Sequence, residues 1–211
     1  MRIAFLGYGQ VGAPIADHLQ RLGHGVVVAA RDPGAEGVRR LLARNPELEV
    51  AAPAAAVEGA EVVVLATPFQ AAAEVLTPLA AALAGKILVD CTNPIGPGLT
   101  HGLGSRRSGT ETIQALLPDT RVVKAFSVYG FENFEDASYP GYGVRPAMPL
   151  CGDDAAAKRV VAGLLAQLGW EPLDVGGAEQ ALHLEHMTLL WVRMVRVGGR
   201  PPGLVWAALT R

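Results

Sequence analysis

Three glycines near the start of the chain, in Arg2-Ile3-Ala4-Phe5-Leu6-Gly7-Tyr8-Gly9-Gln10-Val11-Gly12, stand at the spacing Gly-x-Gly-x-x-Gly. The chemistry this spacing offers is anion binding by bare backbone. The first glycine makes a tight turn, the second lets a pyrophosphate approach the main chain, and the third lets a helix pack closely on a strand. A helix beginning near Val11 would add its unpaired N–H groups and the positive end of its dipole. Gly7, Tyr8, Gly9, Gln10, Val11 and Gly12 are therefore the candidate phosphate cradle of a dinucleotide. An ordinary strand-to-helix turn is the competing reading, since the chain holds 25 glycines. Context favours the cradle: the motif follows an apolar strand directly, and a second apolar run, Val26 to Ala30, comes at the distance a βαβ unit needs.

Which dinucleotide depends on the end of that second run. An Asp or Glu there would hold a ribose 2′-hydroxyl, but Ala30 occupies the place and Arg31 follows it. An arginine suits a 2′-phosphate, so NADP(H) is the expected cofactor. The alternative is that Arg31 is solvated and Asp32 serves as a displaced ribose acid.

Two more strand ends carry small polar residues and a proline. Val62 to Ala66 stops at Thr67-Pro68, and Lys86 to Asp90 is followed by Cys91-Thr92-Asn93-Pro94. Ligands of doubly wound sheets sit beyond the carboxyl ends of the strands, so Ala66, Thr67 and Pro68 fall beside the pyrophosphate and ribose. Thr92, Asn93 and Pro94 would wall the nicotinamide, the first two with hydrogen bonds to its carboxamide or ribose. After the strand Arg121 to Phe126, Ser127 and Tyr129 are candidate contacts to a second substrate. Tyr129 is also a candidate proton donor, with simple packing as its alternative.

Other chemistry-bearing residues have plainer readings. Cys91 and Cys151 lack partners at disulfide or zinc spacing and fit a reducing compartment. Asp153-Asp154 could hold a metal or start a helix. His183, Glu185 and His186 could share a helical face, but a metal would want further ligands. Arg106 and Arg107, in a glycine-rich loop from Gly96 to Gly109, could meet an acidic substrate tail.

The elements that must position these residues alternate strand and helix throughout. Helices are expected over Val11–Leu22, Val38–Ala43, Ala54–Gly59, Phe69–Leu83, Thr110–Leu117, Ala155–Leu168 and Ala178–Val197. Further strands are expected at Leu48–Ala51, Ala147–Cys151 and, closing the sheet, Trp170–Val175; residues 131–146 have no clear pattern. The fold class is α/β: a Rossmann-type doubly wound, mostly parallel sheet with helices on both faces and a C-terminal helix. A length of 211 residues fits one domain, with 1–130 as the dinucleotide-binding core and 131–211 as an extension.

Composition narrows the partners. With 18 basic and 20 acidic residues and no long basic block, neither nucleic acid nor an anionic membrane is expected. The longest apolar region, Val62 to Val89, is interrupted by Pro68, Gln70, Glu74, Pro78 and Lys86, so no membrane span is expected. With a strand reading from residue 2, no signal peptide is expected and the setting should be cytoplasmic.

Taken in order, Gly7-Tyr8-Gly9-Gln10-Val11-Gly12, Ala30-Arg31, Ala66-Thr67-Pro68, Val89-Asp90-Cys91-Thr92-Asn93-Pro94, Val122-Val123-Lys124-Ala125-Phe126 and Cys151-Gly152-Asp153-Asp154 resemble the NADPH-dependent coenzyme F-420 reductase family. Pro172-Leu173-Asp174-Val175-Gly176 and Leu182-x-x-Glu185 extend the resemblance over nearly the whole chain. The chain is similar too to the cytoplasmic reductase domain of six-transmembrane metalloreductases. The resemblance implies hydride transfer between NADP(H) and coenzyme F-420, a flavin or a similar small-molecule acceptor, in a homodimer joined through the C-terminal part. Two positions depart from the family pattern: Ser127 stands where asparagine is common, and Ala30 where a serine or threonine usually precedes the arginine. A reductase of small imines or keto acids, and an NADPH-binding sensor without turnover, are the alternatives.

Overall fold

Short runs of Val, Ile, Leu and Ala with no polar alternation suit strands covered on both faces. In the computed structural model, which describes residues 1–211, these runs become β1 (Arg2–Leu6), β2 (Gly25–Ala29), β3 (Glu49–Ala51), β4 (Val62–Leu65) and β5 (Ile87–Asp90). A small hairpin of β6 (Ile95–Gly96) and β7 (Thr100–His101) precedes β8 (Arg121–Lys124). Six strands, in the order β3-β2-β1-β4-β5-β8, pair in parallel to form the main sheet. The order reverses between β1 and β4, which opens a crevice at their carboxyl ends.

Alternate residues of each strand feed two separate cores, as the period of a strand requires. Ile3, Phe5, Val26, Val28, Val62 and Val64 point to one face, where α1 (Gly12–Arg21) and α2 (Glu36–Arg44) pack through Ile15, Leu19 and Leu41. Ala4, Leu6, Val63 and Leu65 point to the other, against α3 (Pro53–Glu58) and the helices that follow it. Both faces are covered, and the Rossmann-type class read from the sequence is the observed one.

Three expectations need correction. The single helix over Phe69–Leu83 is broken into a 3₁₀ turn, α4 (Ala72–Leu76), a second 3₁₀ turn and α5 (Ala80–Leu83). Pro78 has no N–H to continue the helical ladder, so the backbone tightens around it while Leu76, Leu79 and Leu83 stay buried. The segment Gly96–Gly109 is not one loop. It contains the β6–β7 hairpin and runs into α6 (Gly109–Leu116), whose start carries a capping box between Ser108 and Glu111.

The third correction concerns the end of the sheet. After α7 (Ala155–Gln167), β10 (Glu171–Asp174) pairs only with β9 (Ala147–Leu150), in a separate two-stranded sheet. A lone antiparallel bridge between Lys124 and Cys151 joins it to the main sheet. Residues two apart on a strand aim their N–H groups the same way. The Cys151 N–H reaches Lys124 O at 3.2 Å, and Pro149, two residues earlier, has no N–H to extend that pairing.

The C-terminal segment then lies across the ends of β5 and β8. A 3₁₀ turn leads into α8 (Ala181–Val192), which continues into a π-helical turn at Arg193–Val197. Beyond it the chain folds back and is held by side chains rather than by secondary structure. Trp191 Nε1 donates to Leu204 O at 2.7 Å, Asn133 Nδ2 to Pro202 O at 2.9 Å, and Tyr139 Oη to Gly203 O at 2.9 Å. No helix is long and apolar enough to cross a membrane.

Candidate dinucleotide site

The three glycines of the N-terminal turn do different things. Gly7 has φ +110°, and a Cβ there would lie 2.5 Å from Ala66 O. A Cβ on Gly12 would collide with Gly7 O. These two positions are closed by the protein's own packing. Gly9 is the opposite case: a Cβ there would meet nothing within 4 Å. Its missing side chain leaves room for something from outside, as a pyrophosphate lying against the backbone requires. No side chain caps the start of α1. Ala13 N–H already bonds Gly9 O at 2.9 Å and Pro14 has no N–H, so the N–H groups left to face that ligand are those of Val11 and Gly12 at the turn itself.

Two contiguous clefts flank this turn, sharing Gly7, Tyr8 and Thr67. One, of about 640 Å³, opens between Gly9, Gln10, Arg40 and Pro68. The other, of about 470 Å³, lies between Ala30, Arg31, Pro53, Val75 and Pro78. Thr67 Oγ1 is buried and lacks any hydrogen-bond partner, a vacancy that a ribose or phosphate oxygen would fill. Arg31 is 85% exposed, its Nη1 3.4 Å from Glu74 Oε1. Its guanidinium is thus free to turn toward a 2′-phosphate. Asp32, the alternative ribose acid, accepts the Gly34 N–H at 2.8 Å and is engaged in its own turn. Arg40 is a cation that the sequence did not single out, and its place on α2 brings it to the cleft that opens at Gly9 and Gln10.

At the other end of the crevice the polar groups are committed to one another. Asp90, at the end of β5, accepts from Thr92 N at 2.9 Å, Thr92 Oγ1 at 2.7 Å and Thr110 Oγ1 at 2.7 Å. Lys124, at the end of β8 and fully buried, donates to Thr92 O at 2.8 Å and lies 3.4 Å from Asp90 and 3.2 Å from Glu185. Glu185, on α8, also accepts the Gly109 N–H at 2.9 Å, at the positive end of α6. Its second oxygen meets His101 Nε2 at 2.7 Å. His101 Nδ1 faces the N–H groups of Leu103 and Ser105, so the ring proton sits on Nε2 and points at Glu185. Burial alone would lower the Lys124 pKa, but the carboxylates of Asp90 and Glu185 outweigh it and hold the ammonium above its ordinary value.

This cluster changes several sequence expectations. Thr92 was expected to offer its hydroxyl to the nicotinamide, yet that hydroxyl donates to Asp90. Asn93 was given the same role, but its Nδ2 donates to Ser127 O at 2.9 Å and its Oδ1 lies 3.0 Å from Thr188 Oγ1. Both residues shape the loop from within, and Pro94 is buried beside them. Ser127 is also buried, and its hydroxyl has no partner. The proton-donor reading of Tyr129 fails on geometry. A left-handed residue, Phe126 at φ +55°, turns the chain inward after β8. Tyr129 then stacks on Trp170, donates to Ala147 O and accepts the Trp206 N–H at 3.1 Å. Burial pushes its hydroxyl well above the ordinary tyrosine value.

The remaining candidates are dispersed. Asp154 caps α7 through Ala157 N, whereas Asp153 accepts Ala178 N ahead of α8. Glu185 is buried in the cluster, while His186 reaches out to Ser105 Oγ at 3.0 Å. Arg107 bonds Thr112. Burial raises the thiol of Cys151 to about 12 and that of Cys91 further still, so neither is a reactive thiolate.

Residues 2–94 match a family model described as NADP oxidoreductase, coenzyme F420-dependent. The F420-dependent NADP reductase of Methanothermobacter marburgensis is 30% identical over 210 residues, covering 92% of each chain. This chain belongs to the coenzyme F420-dependent NADP oxidoreductase family. The metalloreductase STEAP3 of Rattus norvegicus is 33% identical over 189 residues, which take in 89% of this chain and 36% of that much longer one. Among solved structures, a candidate F420-dependent NADP-reductase from Arthrobacter sp. FB24 superposes with a TM-score of 0.86 at 33% identity, covering 96% of both chains.

Proposed function

We propose that the protein binds NADP(H) across the β1–β4 crevice and passes a hydride between its nicotinamide and a deazaflavin, flavin or similar small acceptor. The observation that carries this reading is the glycine turn, closed by the protein at Gly7 and Gly12 and left open at Gly9. In this reading the pyrophosphate lies on Gly9, Gln10, Val11 and the start of α1, with Arg40 near it. The 2′-phosphate meets Arg31, Ala30 gives the adenosine ribose room, and Ala66, Thr67 and Pro68 line the ribose. The nicotinamide lies over Thr92, Asn93 and Pro94, and the acceptor approaches from the side of Ser127.

The bound nicotinamide supplies the redox chemistry, so the chain's own work is to bind, orient and exclude water. No acid or base from this chain is needed for that work, in keeping with the internal use of Tyr129. A homodimer in a reducing cytoplasm completes the proposal. Support comes from two free buried thiols and from Leu190 and Val197, which α8 and its π-helical turn leave exposed.

A titration with NADPH and NADH, read by fluorescence, tests the cofactor. Oxidation of NADPH with coenzyme F420, free flavin, a ferric chelate and a panel of imines and keto acids tests the acceptor. Turnover with F420 or flavin is the expected result. Turnover confined to an imine would move the assignment to that substrate class, and tight binding without turnover would make the protein a sensor. Light scattering of the eluted protein tests the dimer.

A further inference from the structure

Glu185 and Thr188 lie three residues apart on α8, on one face of the helix. Both reach the same short loop. Glu185 Oε1 is 3.2 Å from Lys124 Nζ, which in turn donates to the main-chain oxygen of Thr92 at 2.8 Å. Thr188 Oγ1 has one proton for three acceptors, of which Ser127 O is nearest at 2.7 Å, with Asn93 Oδ1 and Leu184 O each at 3.0 Å. Ser127 O in turn accepts Asn93 Nδ2 at 2.9 Å, so the link to the loop runs through that shared oxygen. The loop is tied on its other side as well: Cys91 N bonds Leu65 O, Thr92 N and Oγ1 bond Asp90 Oδ1, Ile95 N bonds Asn93 O and Gly102 N bonds Pro94 O at 2.6 Å. The contacts from α8 add the links that join it to the C-terminal segment. The adenosine side contacts neither residue. The glycine turn follows β1, Arg31 follows β2, and Arg40 lies on α2.

We infer that Glu185 and Thr188 are positioning residues for the nicotinamide half of the site, holding the Thr92–Pro94 loop through Lys124 and Asn93 while leaving the adenosine half untouched. The inference rests on the cofactor reading given above. Its physical basis is that a loop held by buried, fully partnered polar groups keeps one geometry, and that the cost of ordering it is met on folding rather than on binding. Here the ordering element is the C-terminal helix, not the dinucleotide fold. Loss of either link loosens the loop on its α8 side, and the nicotinamide then binds to a wider population of geometries.

Two ligands separate the halves: NADPH and 2′,5′-ADP, which carries only the adenosine side. In Glu185→Gln, which keeps the shape and removes the charge, and in Thr188→Val, 2′,5′-ADP should bind within about twofold of wild type. NADPH should bind about tenfold more weakly, a loss of about 1.4 kcal/mol, and the emission of its bound nicotinamide should move toward that of free NADPH. Equal weakening of both ligands, or no change in either, overturns the inference. If Glu185→Gln does not fold, Thr188→Val decides alone by the same criteria. Wild-type protein that binds neither ligand overturns the cofactor reading itself, a failure distinguishable because the adenosine half is then lost as well.

Discussion

The two ends of the crevice solve opposite problems. Around the glycine turn the chain withholds atoms: Gly9 has empty space where a side chain would stand, Thr67 Oγ1 has no partner, and Arg31 is almost fully exposed. Beyond β5 and β8, Asp90, Lys124 and Glu185 are buried and bonded to one another and to the nearby chain, with the Ser127 hydroxyl left unpartnered beside them. One region leaves its polar groups open, and the other uses most of them within the protein. In the cofactor reading proposed above, binding energy belongs mainly to the first and geometry to the second.

The largest effect that would break this contrast is at Lys124. Lys124→Met leaves two buried carboxylates without their cation and should cost about 3–5 kcal/mol of stability, measured by urea unfolding. A cost under about 1 kcal/mol would mean that water reaches the cluster. Gly9→Ala should do the reverse, leaving the unfolding midpoint unchanged while weakening NADPH by about a hundredfold, near 2.7 kcal/mol. Unchanged affinity would remove the pyrophosphate from that spot. Arg31→Ala should weaken NADPH about tenfold and NADH not at all, and equal losses would return the ribose to Asp32.

Smaller still is an acid-side effect outside the crevice. Burial alone would raise the Asp17 carboxyl, but hydrogen bonds from Arg44, Arg21 and Asn45 outweigh it and hold the pKa below the ordinary carboxylate value. Its stabilising contribution is present above the unfolded value, about 3.9, and is lost as pH falls through the native one. Asp17→Asn should flatten that part of the stability profile. The least effect concerns thiols: Cys91 and Cys151 should resist a disulfide reagent at pH 8 until the protein is unfolded, and fast native labelling would show that the cluster opens.

The open turn was legible in the sequence because its parts are local. Gly7, Gly9 and Gly12 fall within one turn, and Arg31 follows a strand whose end is easily read. The buried cluster was not, since its partners come from five separate elements. Asp90 and Lys124 each close an apolar strand, and that shared position was the available signal. Nothing in Leu182-His183-Leu184-Glu185 says that Glu185 turns inward. The side chains of Thr92 and Asn93 bond within the protein, to Asp90 and to Ser127 O, which the sequence does not show because a hydrogen-bonding side chain does not announce which partner it will take. Tyr129 went astray for a related reason, as the left-handed turn at Phe126 has no glycine to mark it. Periodicity foresaw helix across Pro78, where a missing N–H outweighed the apolar pattern.

The cluster at Lys124 also bears on how the chain is made. Asp90 and Lys124 leave the ribosome about 95 and about 61 residues ahead of Glu185, and at about 5–20 residues per second even the shorter interval lasts several seconds. Until Glu185 is synthesised, the sheet's last strand ends in an ammonium without its second carboxylate, and the Thr92 loop above it has no settled place. The N-terminal half can pair its strands in that time but cannot complete its own interior. α8 is translated after every strand of the main sheet yet supplies the second carboxylate beside Lys124, so a ribosome stalled before α8 would hold a nascent sheet open to chaperones and proteases.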